Sequence, residues 1–188
     1  MNRIWITGFS QFELGIFNAK DPRVTIIKYT ITKFLTHALT DTDEPYWLLT
    51  GGQSGIEQWA VEAALDLQEQ YPQLKIAMMK PYEHYGSKWK PERQTALHAL
   101  ESRVDFVAAT SNQDYQNPGQ LQSYQNFMLT HTDEAMLFYD DMADQSNVRY
   151  TYNAIQAFQN RQDDYHLLMI DFDRLQDYAE EYAEDLAN

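Results

Sequence analysis

The sequence predicts an α/β fold in three layers, a mostly parallel sheet with helices on both faces. Three observations lead there. Short apolar runs alternate with amphipathic segments about six times along the chain. Several of the runs, Trp47-Leu48-Leu49 among them, are almost wholly apolar, as strands buried on both faces are. The stretch from Trp47 to Leu67 reads as one complete unit of such a fold: a strand, a glycine turn and a helix.

The elements follow in order. Arg3 to Ile6 is a buried strand ending at Thr7-Gly8. The loop from Phe9 to Pro22 is long for a strand-to-helix connection, and long loops inside compact domains are often functional. Asp21-Pro22 opens a helix, with an N-cap acid and proline in the first turn, and Ile26, Ile27, Ile31, Phe34, Leu35 and Ala38 form its inner face to about Leu39. A polar turn from Thr40 to Pro45 leads into the second strand at Tyr46. The next helix carries Ile56, Trp59, Ala60, Ala63, Ala64 and Leu67 on one face and stops near Tyr71-Pro72. Leu74 to Met79 is a third strand, Glu92 to Ser102 a helix and Val104 to Ala109 a fourth strand. Leu121 to Thr130 is helical, Ala135 to Tyr139 a fifth strand, Tyr150 to Asn160 a helix and Leu167 to Ile170 a sixth strand. Phe172 to Leu186 is a final acidic helix.

In parallel sheets of this kind ligands bind beyond the carboxyl ends of the strands. Here those ends are Thr7-Gly8, Thr50-Gly51-Gly52, Lys80-Pro81-Tyr82, Thr110-Ser111 and Tyr139-Asp140, which converge on one crevice. The central turn holds Gly51, Gly52 and Gly55, with Glu57 in the first helical turn. Glycines admit positive φ and close backbone approach, and the helix start leaves amide groups unpaired, so the turn suits a phosphate or another anion. It lacks the Gly-Lys-Ser/Thr ending of a Walker loop, and its Gly-Gly-x-x-Gly-x-Glu spacing differs from Gly-x-Gly-x-x-Gly. The alternative is a tight strand-to-helix joint with a capping acid.

Composition narrows the function. The 188 residues, 44% of them apolar, suffice for one domain over 1–188 with a real core. No apolar run approaches the ~20 residues of a membrane helix, and the N-terminus runs straight into a strand, so a cytoplasmic protein with no membrane partner is expected. The chain has no cysteine, which excludes disulfides and thiolate metal sites. A net charge of −14 repels nucleic acid, and none is expected as a partner. Lys80, Lys88, Lys90 and Arg93 form one small patch, mixed with Glu83 and Glu92, that suits a single phosphate rather than a nucleic-acid track.

Glu57 has three readings: a hydrogen bond to a ribose hydroxyl, a catalytic group at a glycosidic bond, or a cap for the turn. Glycosidic chemistry asks for a second carboxylate, for which Glu13, Asp140 and Asp141 are the candidates. Gln53 and Ser54 offer polar contacts inside the turn, whereas Thr7 and Thr50 read as strand-end caps. Trp59 belongs to the core face, while Phe9, Tyr82 and Trp89 sit in loops and can stack on a base. His37, His84, His98, His131 and His166 are scattered without metal-ligand spacing, and no metal site is expected.

The segments ITGFSQFELGIF, TGGQSGIEQWAVEAALDLQEQYPQLKIAM and NFMLTHTDEAMLFYD, in that order, resemble the YpsA-like proteins of the SLOG superfamily, itself similar to the Rossmann-like domains of DprA and of the LOG enzymes. The resemblance spans nearly the whole chain. It implies a single Rossmann-like domain and a site for a nucleotide or an ADP-ribose-like ligand, without implying a reaction. Gly8 matches the family's first glycine turn, and Gly51, Gly52, Gly55 and Glu57 match its glycine-acid motif. The further glycine-threonine turn of many superfamily members is absent: Asn147 to Asn153 contains no glycine. The LOG catalytic motif is not reproduced either, since Gln58 follows Glu57. The expected ligand set is Thr7, Gly8, Phe9, Thr50, Gly51, Gly52, Gln53, Ser54, Gly55, Glu57, Lys80 and Tyr82. The expected function is regulatory nucleotide binding. The alternatives are an N-glycosidase or ribosyl-transfer enzyme using Glu57, or an interaction module that binds a protein partner or a second copy.

Overall fold

The computed structural model describes residues 2–143 and 145–188. Among these, six strands alternate with six helices. β1 (Asn2–Gly8), β2 (Tyr46–Thr50), β3 (Leu74–Lys80), β4 (Phe106–Ala109), β5 (Glu134–Phe138) and β6 (His166–Ile170) form one sheet in the order β4-β3-β2-β1-β5-β6. Every neighbouring pair is parallel. The fold is therefore α/β and Rossmann-like, as the alternation predicts.

The strand order decides where the helices lie. The first four strands step outward in one direction, and the chain then returns across β1 to lay down β5 and β6 on its other side. Right-handed crossovers put the helices of the two halves on opposite faces. α1 (Pro22–Leu39) packs on α2 (Ile56–Gln68), α2 on α3 (Pro91–Glu101), and α1 also on α6 (Phe172–Ala187). α4 (Gly119–Thr130) and α5 (Val148–Gln159) pair with each other. The direction of winding reverses between β1 and β5, and at such a point the loops above two adjacent strands part to leave a crevice.

α2 is the helix at the centre. All but a few of its residues are buried, and Ala60, Ala63 and Ala64 let it lie close to β1 and β3. Ile4, Ile6, Leu48, Leu74 and Ile76 complete that side of the core with no exposed surface. Truncating one of them to alanine removes about 2–5 kcal/mol. α6, in contrast, buries no residue fully. It is held to α1 by the Tyr29 hydroxyl donating to Asp185 at 2.5 Å and by a Lys33–Glu181 ion pair. Phe172, at its start, stacks on Phe9.

Among the boundaries that differ from the sequence reading, two have clear local reasons. β4 begins at Phe106 rather than Val104, because the Asp105 carboxylate accepts hydrogen bonds from the Ile76 amide and the Gln68 side chain and so sits at the ladder's edge. α5 begins at Val148, two residues earlier than Tyr150, because the Ser146 hydroxyl accepts from the Val148 amide. No described helix is long and apolar enough to cross a membrane.

Candidate functional site

The turn after β2 is tied down by its own chain. Gly55 has φ +128°, a conformation open to glycine, and a Cβ there would stand 2.6 Å from the Phe9 carbonyl oxygen and the Gln11 amide. The missing side chain lets the loop after β1 lie directly on the turn. The Ile56 amide donates to the Phe9 carbonyl at 3.1 Å, and the Gln11 amide to the Ser54 carbonyl at 2.9 Å. A Cβ on Gly51 would meet the Glu57 carboxylate at 2.6 Å, one on Gly52 the Leu97 side chain at 2.7 Å, and one on Gly8 the Phe138 carbonyl oxygen at 2.5 Å. The room left by these glycines is filled by protein. Each of these glycines therefore serves the packing of the turn against its neighbours.

The acid of the motif takes part in the same closure. Glu57 folds back from the first turn of α2, and its carboxylate accepts from the Gln53 amide at 2.7 Å and the Thr7 hydroxyl at 3.2 Å. Gln58 donates its side-chain amide to the Gly52 carbonyl at 2.9 Å. Glu57 is buried, and burial pushes its carboxyl up to about 7 against the two hydrogen bonds that favour the charged form. A buried acid that titrates near neutrality costs stability when ionised, and such groups cluster at functional sites.

In front of Glu57 lies a cleft of about 680 Å³, a size usual for small-ligand sites. β1 contributes Trp5, Thr7 and Gly8, and the loop beyond it contributes Glu13. Gly51, Gly52, Gln53 and Glu57 form the floor, and Pro81 and Tyr85 flank it. α4 supplies Leu121, Gln122, Tyr124 and Gln125, and the start of α5 supplies Asn147, Val148, Tyr150 and Thr151. The lining holds two acids and no lysine, arginine or histidine.

Two groups in this lining are conspicuous. Trp5 and Thr7, two positions apart on β1, point to the same face of the sheet. The Trp5 ring meets Tyr124 edge to face, with centroids 6.4 Å apart. Both residues are buried, and neither the Trp5 Nε1 nor the Tyr124 hydroxyl has a hydrogen-bond partner among the described residues. Each such orphan costs about 1–3 kcal/mol. Burial first, and then the Glu57 charge, pushes the Tyr124 and Tyr85 hydroxyls well above the ordinary phenol range.

Of the residues expected to bind ligand, Thr7, Gly8, Gly51, Gly52, Gln53 and Glu57 line the cleft. The others lie elsewhere. Phe9 is buried against Phe172 and Tyr139 and cannot stack on a base. Thr50 donates its hydroxyl to the Ile6 carbonyl at 2.6 Å, a joint between β2 and β1. Ser54 is buried and accepts from Arg93, whose guanidinium lies over both Phe12 and Trp89. Gly55 serves the loop contact described above. Lys80 pairs with Glu101 at 2.8 Å. Tyr82 lines a separate hollow of about 440 Å³ with Trp89, Lys88 and His84. Among the candidate second acids only Glu13 reaches the cleft, since Asp140 is taken up by the Met142 and Phe172 amides. The described residues contain no cluster of ligands able to hold a metal ion.

Trp5, Tyr85, Tyr124, Gln122 and Gln125 were not foreseen. Trp5 reads in the sequence as strand core, and nothing in the spacing of the α4 residues distinguishes a cleft face from a solvated one. The glycine-free segment beginning at Asn147 does reach the cleft, but with side chains in place of a backbone cradle.

Comparison with known proteins sets this geometry in a family. The YspA SLOG family model, YpsA, matches residues 4–175. The chain belongs to this family. It is 48% identical to the UPF0398 protein of Leuconostoc citreum over 187 residues, covering 100% of this chain and 97% of the relative. It is 46% identical to the UPF0398 protein of Levilactobacillus brevis over 188 residues, 100% and 97% of the two chains. With that of Limosilactobacillus reuteri it shares 44% over 184 residues, 98% and 96%. The family's shared name states no activity.

Proposed function

We propose that this YpsA-family protein binds a nucleotide or a nucleotide-derived ligand of the ADP-ribose type in the cleft between β1, α4 and α5, and acts as a regulator. One observation carries the reading. A cleft at the reversal of strand order, on the carboxyl edge of the sheet, contains two buried polar groups without partners. Hydrogen-bonding capacity left unused at such a cost is what a ligand would satisfy. The side-chain amides of Gln53, Gln122, Gln125 and Asn147 suit the edges of a base or the hydroxyls of a ribose. A cytoplasmic location follows from this reading, and the −14 net charge favours neither nucleic acid nor membrane as partner.

A second reading rests on Glu57 and Glu13 sharing the cleft. A carboxyl held near 7 can protonate a departing base, as glycosidic bond cleavage requires. Against it, both Glu13 oxygens are engaged, one by the Ser10 amide at 3.0 Å and one by the Ser146 hydroxyl at 2.5 Å. Calorimetric titration with AMP and ADP-ribose, with chromatography of the same mixtures for free base, tests both readings. Saturable heat without base release supports the regulator, base release supports the enzyme, and absence of both overturns the two together.

A further inference from the structure

The usual expectation for a glycine turn at a helix start is that it holds the phosphate. We propose that in this protein the glycine-turn end of the cleft takes the uncharged nucleoside end of the ligand, seated against Trp5 and Tyr124, and that any phosphate is directed outward, away from Glu57. The inference rests on the ligand-binding reading above and deepens it.

Three independent observations converge. The anion that the turn holds is the chain's own: the Glu57 carboxylate occupies the Gln53 amide, and the Phe9 carbonyl occupies the Ile56 amide at the start of α2. A phosphate there would displace both and lie beside a buried acid, where like charges repel in a poorly screened setting. The cleft lining contains Glu13 and Glu57 and no cationic side chain, and Arg149 lies outside it, over the ring of Tyr150 at the start of α5. Lys80 and Arg93, the basic residues nearest in sequence to the turn's partners, are engaged with Glu101 and with Ser54, Phe12 and Trp89.

The unsatisfied groups make the positive case. The Trp5 indole can only donate, and the Tyr124 hydroxyl can donate or accept. Both atoms are closed off from solvent, so a neutral heterocycle with a carbonyl oxygen or ring nitrogen would reach them by parting the two rings, and it would bring no second charge to Glu57. Glu57 itself then donates to, or accepts from, a ribose hydroxyl according to its protonation.

The experiment is calorimetric titration of the full chain with adenosine, guanosine, cytidine and uridine, each beside its 5′-mono- and diphosphate, with inorganic pyrophosphate as competitor. Expected is a nucleoside that binds within roughly threefold of its own diphosphate, with pyrophosphate not competing. Tyr124→Phe and Trp5→Phe should weaken nucleoside and diphosphate alike, by roughly tenfold, the loss of one hydrogen bond. Tyr124→Phe removes only an unpartnered buried hydroxyl, so it folds and keeps the test open if Trp5→Phe does not. Affinity that climbs more than roughly tenfold with added phosphates, with pyrophosphate competing, overturns this inference and leaves ligand binding standing. Unchanged affinity in Tyr124→Phe also overturns it. No binding of any nucleoside or nucleotide overturns both readings.

Discussion

Two loops rise side by side from the carboxyl edge of the sheet, and they differ in what packs against their glycines. The turn at residues 51–55 is held by backbone hydrogen bonds and a buried acid, with protein atoms against every glycine. The loop at residues 81–90 has backbone bonds of its own, Ser87 to His84 at 3.0 Å and Trp89 to Gly86 at 2.9 Å, and adds a cluster of rings. Tyr82 meets Tyr85 and Tyr115 with centroids 5.3 Å apart, and Tyr85 meets Trp89 at 5.1 Å. Lys88 and His84 lie among them. An added methyl would meet backbone at Gly55 and side chains at Gly86, and side chains can shift where backbone cannot. In that packing sense the first loop is rigid and the second adaptable.

The largest expected effect breaks the rigid loop. Gly55→Ala forces an L residue to φ +128° and drives its methyl into the Phe9 and Gln11 backbone. Urea denaturation should show a loss of roughly 3 kcal/mol or more, strain and overpacking together. Gly86→Ala is the matched change in the adaptable loop. Its φ is +82°, but the atoms nearest the added methyl belong to the Leu97 and Trp89 side chains, at 3.1 Å. A loss of about 1–2 kcal/mol is expected there. Equal losses would refute the contrast.

Next in size is the pH dependence from Glu57. Its carboxyl lies near 7 in the fold, above the ordinary 4.5, so the native state holds the proton more tightly than the unfolded chain. Stability from this group is full below about 4.5 and falls as pH rises through about 7, by roughly 3 kcal/mol. Glu57→Gln keeps the shape and removes the titration. Measured by thermal melts across that range, the variant should match the native protein at the acid end and exceed it in stability at about pH 8. A variant less stable at every pH would show that the carboxylate is better solvated than its burial implies. In the other loop His84 is exposed, and the Asp114 carboxylate at 2.6 Å raises its pKa. Whatever it adds is present when the histidine is charged and lost as pH rises, the same sign from the opposite cause.

Smaller still is Tyr124→Phe. Removing a buried hydroxyl without a partner should leave stability unchanged or raise it by about 1 kcal/mol in denaturant titration. A loss of that size would mean that the hydroxyl has a partner such as a bound water, and that the cleft lacks the unused capacity attributed to it.

The smallest expected effect is none. The acid-lined cleft and the net charge of −14 give single-stranded DNA nothing to hold at physiological salt. The aromatic hollow with Lys88 is a place where bases and phosphates would find stacking and a cation together. Fluorescence anisotropy with a labelled oligonucleotide should show no saturable change. Were one seen, its disappearance in Lys88→Ala would locate it in the second loop.

The sequence by itself determined the strands, their alternation with helices and the place of the turn. These are written in short-range patterns: apolar runs, a helical period through Ile56, Trp59, Ala60 and Ala63, and the Asp21-Pro22 helix start. It also marked Glu57, an acid two residues after Gly55 in the first turn of the helix. Only the tertiary structure decided what those residues do. The return of the chain across β1 brings Trp5 to Tyr124, and the pairing of β2 with β1 brings Glu57 to Thr7 across 50 positions. The direction in which the Glu57 carboxylate turns, and the filling of the glycine spaces by Phe9 and Leu97, depend on the packing of α2, α3 and the loop after β1 at once. Periodicity reports which side of an element faces inward. It carries no information on which buried polar atom finds a partner, and that is the property that defines this cleft.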